Sequence, residues 1–175
     1  MMDYFSMNEI AAKKPATQTS QWPVPADSVR YVVPEPIVRL LAAHPLTREL
    51  YPLAFGHYRR AAGHHMHREH HRDNLLIYCT DGKAFLNVAG VPHTVEAGDL
   101  LLLPAGASHR YTADPDNPWT IHWVHYTGPL AEDFGGLSEG ERGSILDQLE
   151  ALEAPALAPL AGFFVKVVRY GGSEA

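Results

Sequence analysis

The chain has a single cysteine, no long apolar run and no excess of basic residues. One cysteine excludes an internal disulfide, and the apolar context "LLIYCT" favours a buried small side chain over a nucleophile at Cys79. No apolar run approaches the roughly 20 residues of a membrane span, and the first twenty residues lack a signal-peptide core, so we expect a cytoplasmic protein. The formal charge of −6 leaves no basic face for a phosphate backbone. We therefore do not expect this chain alone to bind DNA.

The 175 residues, 46% of them hydrophobic, suffice for one globular domain with appendages. Residues 1–27 are polar and end in "WPVPAD", which predicts a flexible arm. Residues 28–128 form the predicted domain. Residues 129–175 are predicted to be a helical segment with a tail that includes a possible strand in "GFFVKVVRY".

Short runs of β-forming residues, separated by Gly, Pro, Asn and Asp, fill the chain from Leu50 to Thr127. Eight such runs in under 80 residues indicate a sandwich or a barrel. The dipeptide Asp81–Gly82 lies between "LLIYC" and "AFLNV", and a D-G pair is a strong hairpin signal. We expect those two strands to pair antiparallel.

Two helices are predicted outside the strand-rich region. The first lies in "IVRLLAAH", where Ile37, Leu40 and Leu41 follow helical spacing between flanking prolines. The second lies in "GSILDQLEALEA", where one face carries three apolar side chains and Ser144 is available as a cap. The apolar face of this second helix consists of Ile145, Leu149 and Leu152.

The segment "GDLLLLPAGASHRYTA" matches the second cupin motif, G-x5-P-x-G-x2-H-x3-N, at all fixed places but the last. The matching residues are Gly98, Pro104, Gly106 and His109, and Ala113 replaces the asparagine. A strand followed by the "PAG" corner suits a small jelly roll. We therefore expect a mainly β fold, a cupin-like double-stranded β-helix barrel with one helix before it and one after it.

The stretch "GHHMHREHHRDN", residues 63–74, contains five histidines and poses the question of a metal site. His65 and His67 would lie on one face of a strand, about 7 Å apart. The first cupin motif, however, requires a glutamate that falls near Leu75 here. A site without that ligand would bind a divalent ion weakly. We expect polar strand or pocket residues, with no metal and no other cofactor.

The sequence from about Ser28 to Gly128 resembles the ligand-binding and dimerisation domain of AraC-type transcription regulators. Three segments carry the resemblance: "DNLLIYCTDGKA", "VEAGDLLLLPAGASHRY" and "DPDNPWTIHWVHYTG". It implies a barrel that holds a small effector, often a sugar, and a homodimer formed through Ile145, Leu149 and Leu152. The family's two helix-turn-helix units, its route to DNA, do not occur in this chain. We expect either a fragment of a longer protein or a stand-alone sensor.

Alternation along "PWTIHWVHY" places Trp119, Ile121, Trp123 and His125 on one face. The resemblance implies that this face points into the barrel, with Trp123 stacking on a sugar. Trp119 and Trp123 can also be core residues. Tyr111 matches a sugar-contacting position of the family, or is a rim tyrosine. An expected arginine falls on His67 or Arg68, and Arg68 would suit an acidic sugar.

Two other functions are considered beside the effector-binding module. The first is a metal-dependent cupin enzyme, a dioxygenase or sugar isomerase, that uses His65, His67 and His109, together with His71 or His125. The second is a metal-free storage or scaffold dimer with an apolar barrel interior. No nucleophile with a partnered base is recognisable in the sequence, so we expect no hydrolase chemistry and no catalytic residues.

Overall fold

The computed structural model describes residues 17–131 and the backbone of Lys166–Arg169. These residues form one helix and ten strands. In chain order they are β1 (Val29–Val32), α1 (Glu35–Ala43), β2 (Tyr51–Tyr58), β3 (His65–Arg68), β4 (Asn74–Asp81), β5 (Lys83–Val88), β6 (Val91–Glu96), β7 (Asp99–Leu103), β8 (His109–Ala113), β9 (Thr120–Thr127) and β10 (Lys166–Arg169). The predicted helical face of Ile145, Leu149 and Leu152 lies outside the described residues.

The strands form two facing sheets. The larger sheet has the order β1-β2-β9-β4-β7-β10, and the smaller has the order β3-β8-β5-β6. From β2 to β9 each strand lies in the other sheet from the strand before it, except that β5 and β6 share the smaller sheet. This is the cupin-like jelly roll expected from the sequence. The eight predicted strands are β2 to β9, and the predicted strand in the tail contains β10.

The predicted hairpin between β4 and β5 is wrong. Strand β4 pairs with β7 on one side and with β9 on the other, so neither of its edges can accept β5. Gly82, at φ 72°, turns the chain from the larger sheet into the smaller one. A Cβ there would lie 2.4 Å from the carbonyl oxygen of Pro118. The two-residue hairpin of this region instead joins β5 to β6 through Ala89 and Gly90, both at positive φ.

The "PAG" corner of the cupin motif connects β7 in the larger sheet to β8 in the smaller sheet. Gly106 has φ 80°, a conformation that glycine adopts without strain. Its backbone nitrogen donates to the carbonyl oxygen of His71 at 2.9 Å. This bond ties the corner to the segment that follows β3, and so fixes the entry of His109 into the barrel.

Helix α1 is confirmed, but its buried face differs from the predicted one. Val38 is buried and Leu41 is half-buried against Val33 and Leu53. Val38 and Leu41 lie one turn apart and form the face of the helix that packs on the barrel. Ile37 and Leu40 lie outside this face and are exposed. Among the residues described, no helix is long and apolar enough to cross a lipid bilayer.

Candidate functional site

The inward face of β9 forms one wall of the barrel interior. Trp119, Ile121, Trp123 and His125 are at most 6% exposed, as the alternation predicted. Opposite Trp123, Gly56 of β2 lies directly beneath the indole ring. A Cβ on Gly56 would lie 2.6 Å from that ring, so the absence of a side chain makes room for the tryptophan.

Strand β3 divides the histidine-rich stretch into an inward and an outward set. Met66 and Arg68 are buried, as is His64 just before the strand, whereas His65 and His67 are exposed. The Nε2 atom of His67 lies 3.1 Å from a carboxylate oxygen of Glu69 on the outer surface. Of the two candidates for the family's arginine position, Arg68 is therefore the one inside the barrel.

The alternative metal set of His65, His67 and His109 is not brought together, because the first two point away from the barrel and His109 is buried. The described residues contain no group of three or more His, Cys, Asp or Glu placed to hold a metal ion. His65, His67 and His109 therefore do not share one site.

His64, which the sequence analysis had not selected, has a fixed tautomer. The indole Nε1 of Trp119 donates to its Nδ1 at 3.1 Å, so Nδ1 carries the lone pair. The Nε2–H then donates to the hydroxyl of Ser20 at 3.1 Å. Burial, with smaller contributions from Arg30 and His65, lowers the pKa of His64 to about 3. The ring is neutral at physiological pH and holds Trp119 in place.

Asp73 lies at the centre of a second buried cluster, the Asp73 network, which comprises Thr17, Arg68, His71, Asp73 and His125. Its carboxylate accepts hydrogen bonds from the Thr17 hydroxyl and the Arg68 guanidinium, and one from His125 Nδ1 at 2.7 Å. Burial raises the pKa of Asp73, but the hydrogen bonds from His125 and Thr17 and the charge of Arg68 outweigh it and hold this pKa well below its usual range.

His71 belongs to the same network and has an unusual set of partners. Its Nδ1 lies 2.8 Å from the carbonyl oxygen of Asp73, and its Nε2 lies 2.8 Å from the carbonyl oxygen of Ala107. Carbonyl oxygens only accept hydrogen bonds, so each ring nitrogen that carries a proton can donate to the carbonyl beside it. The Nδ1 atom also lies 3.8 Å from the Asp73 carboxylate.

Three buried polar atoms have no hydrogen-bond partner among the described residues: Arg68 Nε, Trp123 Nε1 and His109 Nε2. His109 Nδ1 donates to the carbonyl oxygen of Ala107 at 2.9 Å. Burial, opposed by that bond, lowers the pKa of His109 to about 4, so its Nε2 carries a lone pair. Two donors and one acceptor in the described interior therefore lack a hydrogen-bond partner. Buried polar atoms without a partner are uncommon in protein cores.

The barrel cavity lies between the two sheets and has a volume of about 10 Å³, room for about one water molecule. Thr19 and Ser20, which precede β1, contribute hydroxyl groups to the lining, and apolar side chains come from β4 and β9. The lining residues are Thr19, Ser20, Tyr58, His64, Leu75, Ile77, Tyr111, Ile121, Trp123 and His125. Of the candidate ligand residues, Tyr111, Trp123 and His125 line the cavity, Arg68 contacts His125, and Trp119 and His67 do not line it.

Residues 17–27, within the predicted flexible arm, lie against the barrel. Thr17 and Ser20 are buried, and the ring of Trp22 lies 4.8 Å from that of Tyr58. Arg30 fastens this segment by donating to the Tyr58 hydroxyl at 2.7 Å and to the carbonyl oxygen of Trp22. These residues supply part of the cavity wall.

The buried histidines predict a steep loss of stability in mild acid. Between pH 6.5 and the lowered pKa values of His64 and His109, the unfolded chain binds protons that the folded chain does not, so acid favours unfolding. Each such histidine contributes about 1.4 kcal/mol per pH unit. We expect urea unfolding to show a loss of roughly 2 kcal/mol between pH 6 and pH 5.

Variants give this experiment its controls. His109→Phe should reduce the loss by roughly half, whereas His67→Ala, on the exposed face, should leave it unchanged. Equal unfolding free energies at the two pH values would show that these histidines are protonated in the folded protein.

The chain is similar to parts of known transcription regulators. Residues 51–166 match the profile of the family described as the AraC-like ligand binding domain. The MmsAB operon regulatory protein of Pseudomonas aeruginosa is 47% identical over 137 residues, which cover 74% of this chain and 42% of that protein. The raffinose operon transcriptional regulatory protein RafR of Pediococcus pentosaceus is 40% identical over 61 residues, which cover 34% and 22%. This chain thus spans less than half the length of the first regulator.

Two further similarities are shorter or more distant. Acireductone dioxygenase 1 of Coprinopsis cinerea is 43% identical over 53 residues, which cover 27% of this chain and 30% of the enzyme. Among solved structures, a Cupin 2 conserved barrel domain protein from Salinispora arenicola covers 78% of this chain and 98% of its own. That pair has a TM-score of 0.42 and 18% identity.

Proposed function

The chain belongs to the family of AraC-like ligand-binding domains, and from this premise we propose that it is the effector-sensing and dimer-forming part of a transcription regulator. In this proposal a small molecule enters the barrel cavity and changes how the regulator acts. In this proposal the regulator acts in the cytoplasm and contacts DNA through a helix-turn-helix part. The role is binding rather than catalysis.

The observation that supports an effector site best is the unused Trp123 Nε1 donor at the cavity wall. A buried donor without a partner costs about 1–3 kcal/mol, and a ligand acceptor placed there would remove that cost. The rest of the lining suits a ligand with both apolar and polar groups, because Tyr58, Tyr111 and Trp123 bring rings while Ser20 and Thr19 bring hydroxyls.

A sugar is the proposed class of effector. An indole ring such as that of Trp123 can stack on the C–H face of a sugar, and the hydroxyl-bearing side chains can bond its hydroxyls. The cavity as it stands has room for about one water molecule, so a sugar requires the lining side chains to move apart, and a small sugar requires the least movement. A similar regulator, RafR, is named for a raffinose operon, which is consistent with this class.

The homodimer is proposed from the amphipathic helix that the sequence predicts, with Ile145, Leu149 and Leu152 on one face. Such an apolar face would be hard to bury within one small domain, and a second copy of the chain is the simplest partner for it. Sedimentation of wild type and of Leu149→Glu tests this. We expect a dimer and a monomer respectively, and an unaltered dimer in the variant would contradict the proposal.

A ligand panel tests the effector site. Neutral and acidic monosaccharides are added to the full chain while tryptophan emission and melting temperature are measured. A matching sugar should shift the emission saturably and stabilise the fold by about 2.7 kcal/mol at a hundredfold excess over its Kd. Trp123→Ala should abolish both effects.

The matched control is Phe85→Ala, an aromatic truncation on the exposed face of the smaller sheet. It should respond to the sugar as wild type does. Sugars that stabilise Trp123→Ala as well as wild type would place the site outside the barrel cavity.

A further inference from the structure

We propose that the effector carries a carboxylate beside a hydroxyl, and is therefore a sugar acid or a smaller hydroxycarboxylate that binds at the Asp73 end of the barrel cavity. This inference rests on the proposed function and narrows it to one chemical class. It is carried by the charges and by the unused hydrogen-bonding atoms of the Asp73 network and its neighbours.

The first observation is a buried carboxylate that is surrounded by donors. The Arg68 guanidinium, whose side chain is 2% exposed, pairs with the Asp73 carboxylate. The Thr17 hydroxyl and His125 Nδ1 also donate to this carboxylate, and His71 Nδ1 lies 3.8 Å from it. Arg68 still has one unused donor, its Nε, so a second carboxylate beside it would accept a hydrogen bond that Asp73 does not.

The second observation is the set of unused atoms. Arg68 Nε and Trp123 Nε1 are donors, and both flank His125: Arg68 Nη1 lies 3.3 Å from His125 Nδ1, and the Trp123 ring lies 5.4 Å from the His125 ring. A carboxylate accepts hydrogen bonds through two oxygens, so it can engage two such donors. Bonds from a charged donor to a carboxylate are stronger than neutral ones.

The third observation is the single unused acceptor, His109 Nε2. The His109 ring lies parallel to that of Tyr111, a cavity-lining residue, with 6.1 Å between ring centroids. A ligand hydroxyl can donate to this nitrogen, whereas a second carboxylate cannot. The interior therefore lacks one anionic acceptor group and one hydroxyl donor, and a hydroxycarboxylate supplies both.

The small cavity favours a compact ligand. It has room for about one water molecule as it stands, so a small hydroxycarboxylate displaces less of the lining than an oligosaccharide does. His125 belongs to both the cavity lining and the Asp73 network, so a ligand in the cavity reaches the network at this residue.

Calorimetric titration of the full chain with matched acid and neutral pairs tests the inference. The pairs are galacturonate with galactose and glycerate with glycerol, and propionate serves as the acid without a hydroxyl. We expect at least one acid to bind tenfold or more tightly than its neutral partner. Propionate should bind more weakly than glycerate.

Two variants keep the test informative even if Arg68 substitutions prevent folding. Trp123→Phe removes one donor and keeps an aromatic ring, and it should weaken binding of the acid about tenfold or more while changing the neutral partner less. His109→Phe should weaken binding of glycerate and leave propionate nearly unchanged. His67→Ala, one residue from Arg68 but on the outer face, should bind as wild type does.

The outcomes separate this inference from the proposed function. If a neutral sugar binds as tightly as its acid, with a signal lost in Trp123→Ala, the effector site stands and the carboxylate assignment is overturned. If no member of any pair binds, both the proposed sugar-binding site and the carboxylate assignment are contradicted. An acid preference that survives unchanged in Trp123→Phe, or a glycerate affinity that is unchanged in His109→Phe, would also overturn the assignment, because the acid would then bind elsewhere.

Discussion

Replacing Asp73 by alanine is expected to lower the free energy of unfolding by about 3–5 kcal/mol. The substitution leaves the Arg68 guanidinium buried without its carboxylate, and removes the acceptor for Thr17 and His125. Uncompensated buried charge is far more costly than a lost surface contact. Urea unfolding at pH 7, followed by tryptophan fluorescence, measures the change.

Two further variants interpret that result. Asp73→Asn keeps the shape and one acceptor but removes the charge, so its loss of stability should be smaller than that of alanine. Asp116→Ala removes an exposed carboxylate and should change stability by less than about 0.5 kcal/mol. A loss of 1 kcal/mol or less in Asp73→Ala would mean that water replaces the carboxylate and that this end of the barrel is open to solvent.

Trp119→Ala is the second substitution with a large expected effect. Its side chain is fully buried, and truncation of a buried tryptophan costs about 3–5 kcal/mol. The change also leaves His64 Nδ1 without the indole donor. The same urea unfolding measurement applies, with Phe85→Ala as the exposed aromatic control.

Trp119→Phe separates the packing contribution of Trp119 from its hydrogen bond. It keeps an aromatic ring in the core but removes the donor to His64, so a loss of about 1–2 kcal/mol is expected. Equal losses in the phenylalanine and alanine variants would assign the whole effect to the hydrogen bond. The wild-type ligand response should persist in Trp119→Phe, because Trp119 does not line the barrel cavity.

Strands β2 to β9 and the inward face of β9 could be predicted because both depend on local pattern, whereas β1 was not predicted. Alternation with period two assigns Trp123 and His125 to one face whatever their partners are. The cupin corner at Pro104 and Gly106 was recognisable for the same reason, since a turn is specified by adjacent residues. These features are properties of short segments.

The assignment of strands to sheets could not be predicted, because it depends on which edges other strands already occupy. Asp81–Gly82 has the sequence of a hairpin turn, yet β9 and β7 fill both edges of β4. Tertiary pairing outweighs the local turn preference here. The buried face of α1 could not be predicted for a similar reason. Ile37 and Val38 are both apolar, and only packing against the barrel determines which of them is buried.

Most of the candidate site depends on contacts between distant parts of the chain. Thr17 and Asp73 are 56 residues apart, and Asp73 and His125 are 52 apart. No spacing rule connects such residues. A local signal did exist for His64, Met66 and Arg68, because alternation alone places them on one side of β3. It did not show which side was the interior.

The glycine beneath Trp123 has a consequence for how this family can vary. Gly56 and Trp123 face each other across β2 and β9. A Cβ at position 56 would lie 2.3 Å from the carbonyl oxygen of Val29 in β1 and 2.6 Å from the Trp123 ring. A relative with alanine or a larger residue at position 56 therefore needs two changes together: a shifted β1 backbone, and a smaller or displaced side chain at position 123. Because a smaller residue at position 123 does not move β1, exchange of the tryptophan alone leaves the glycine required.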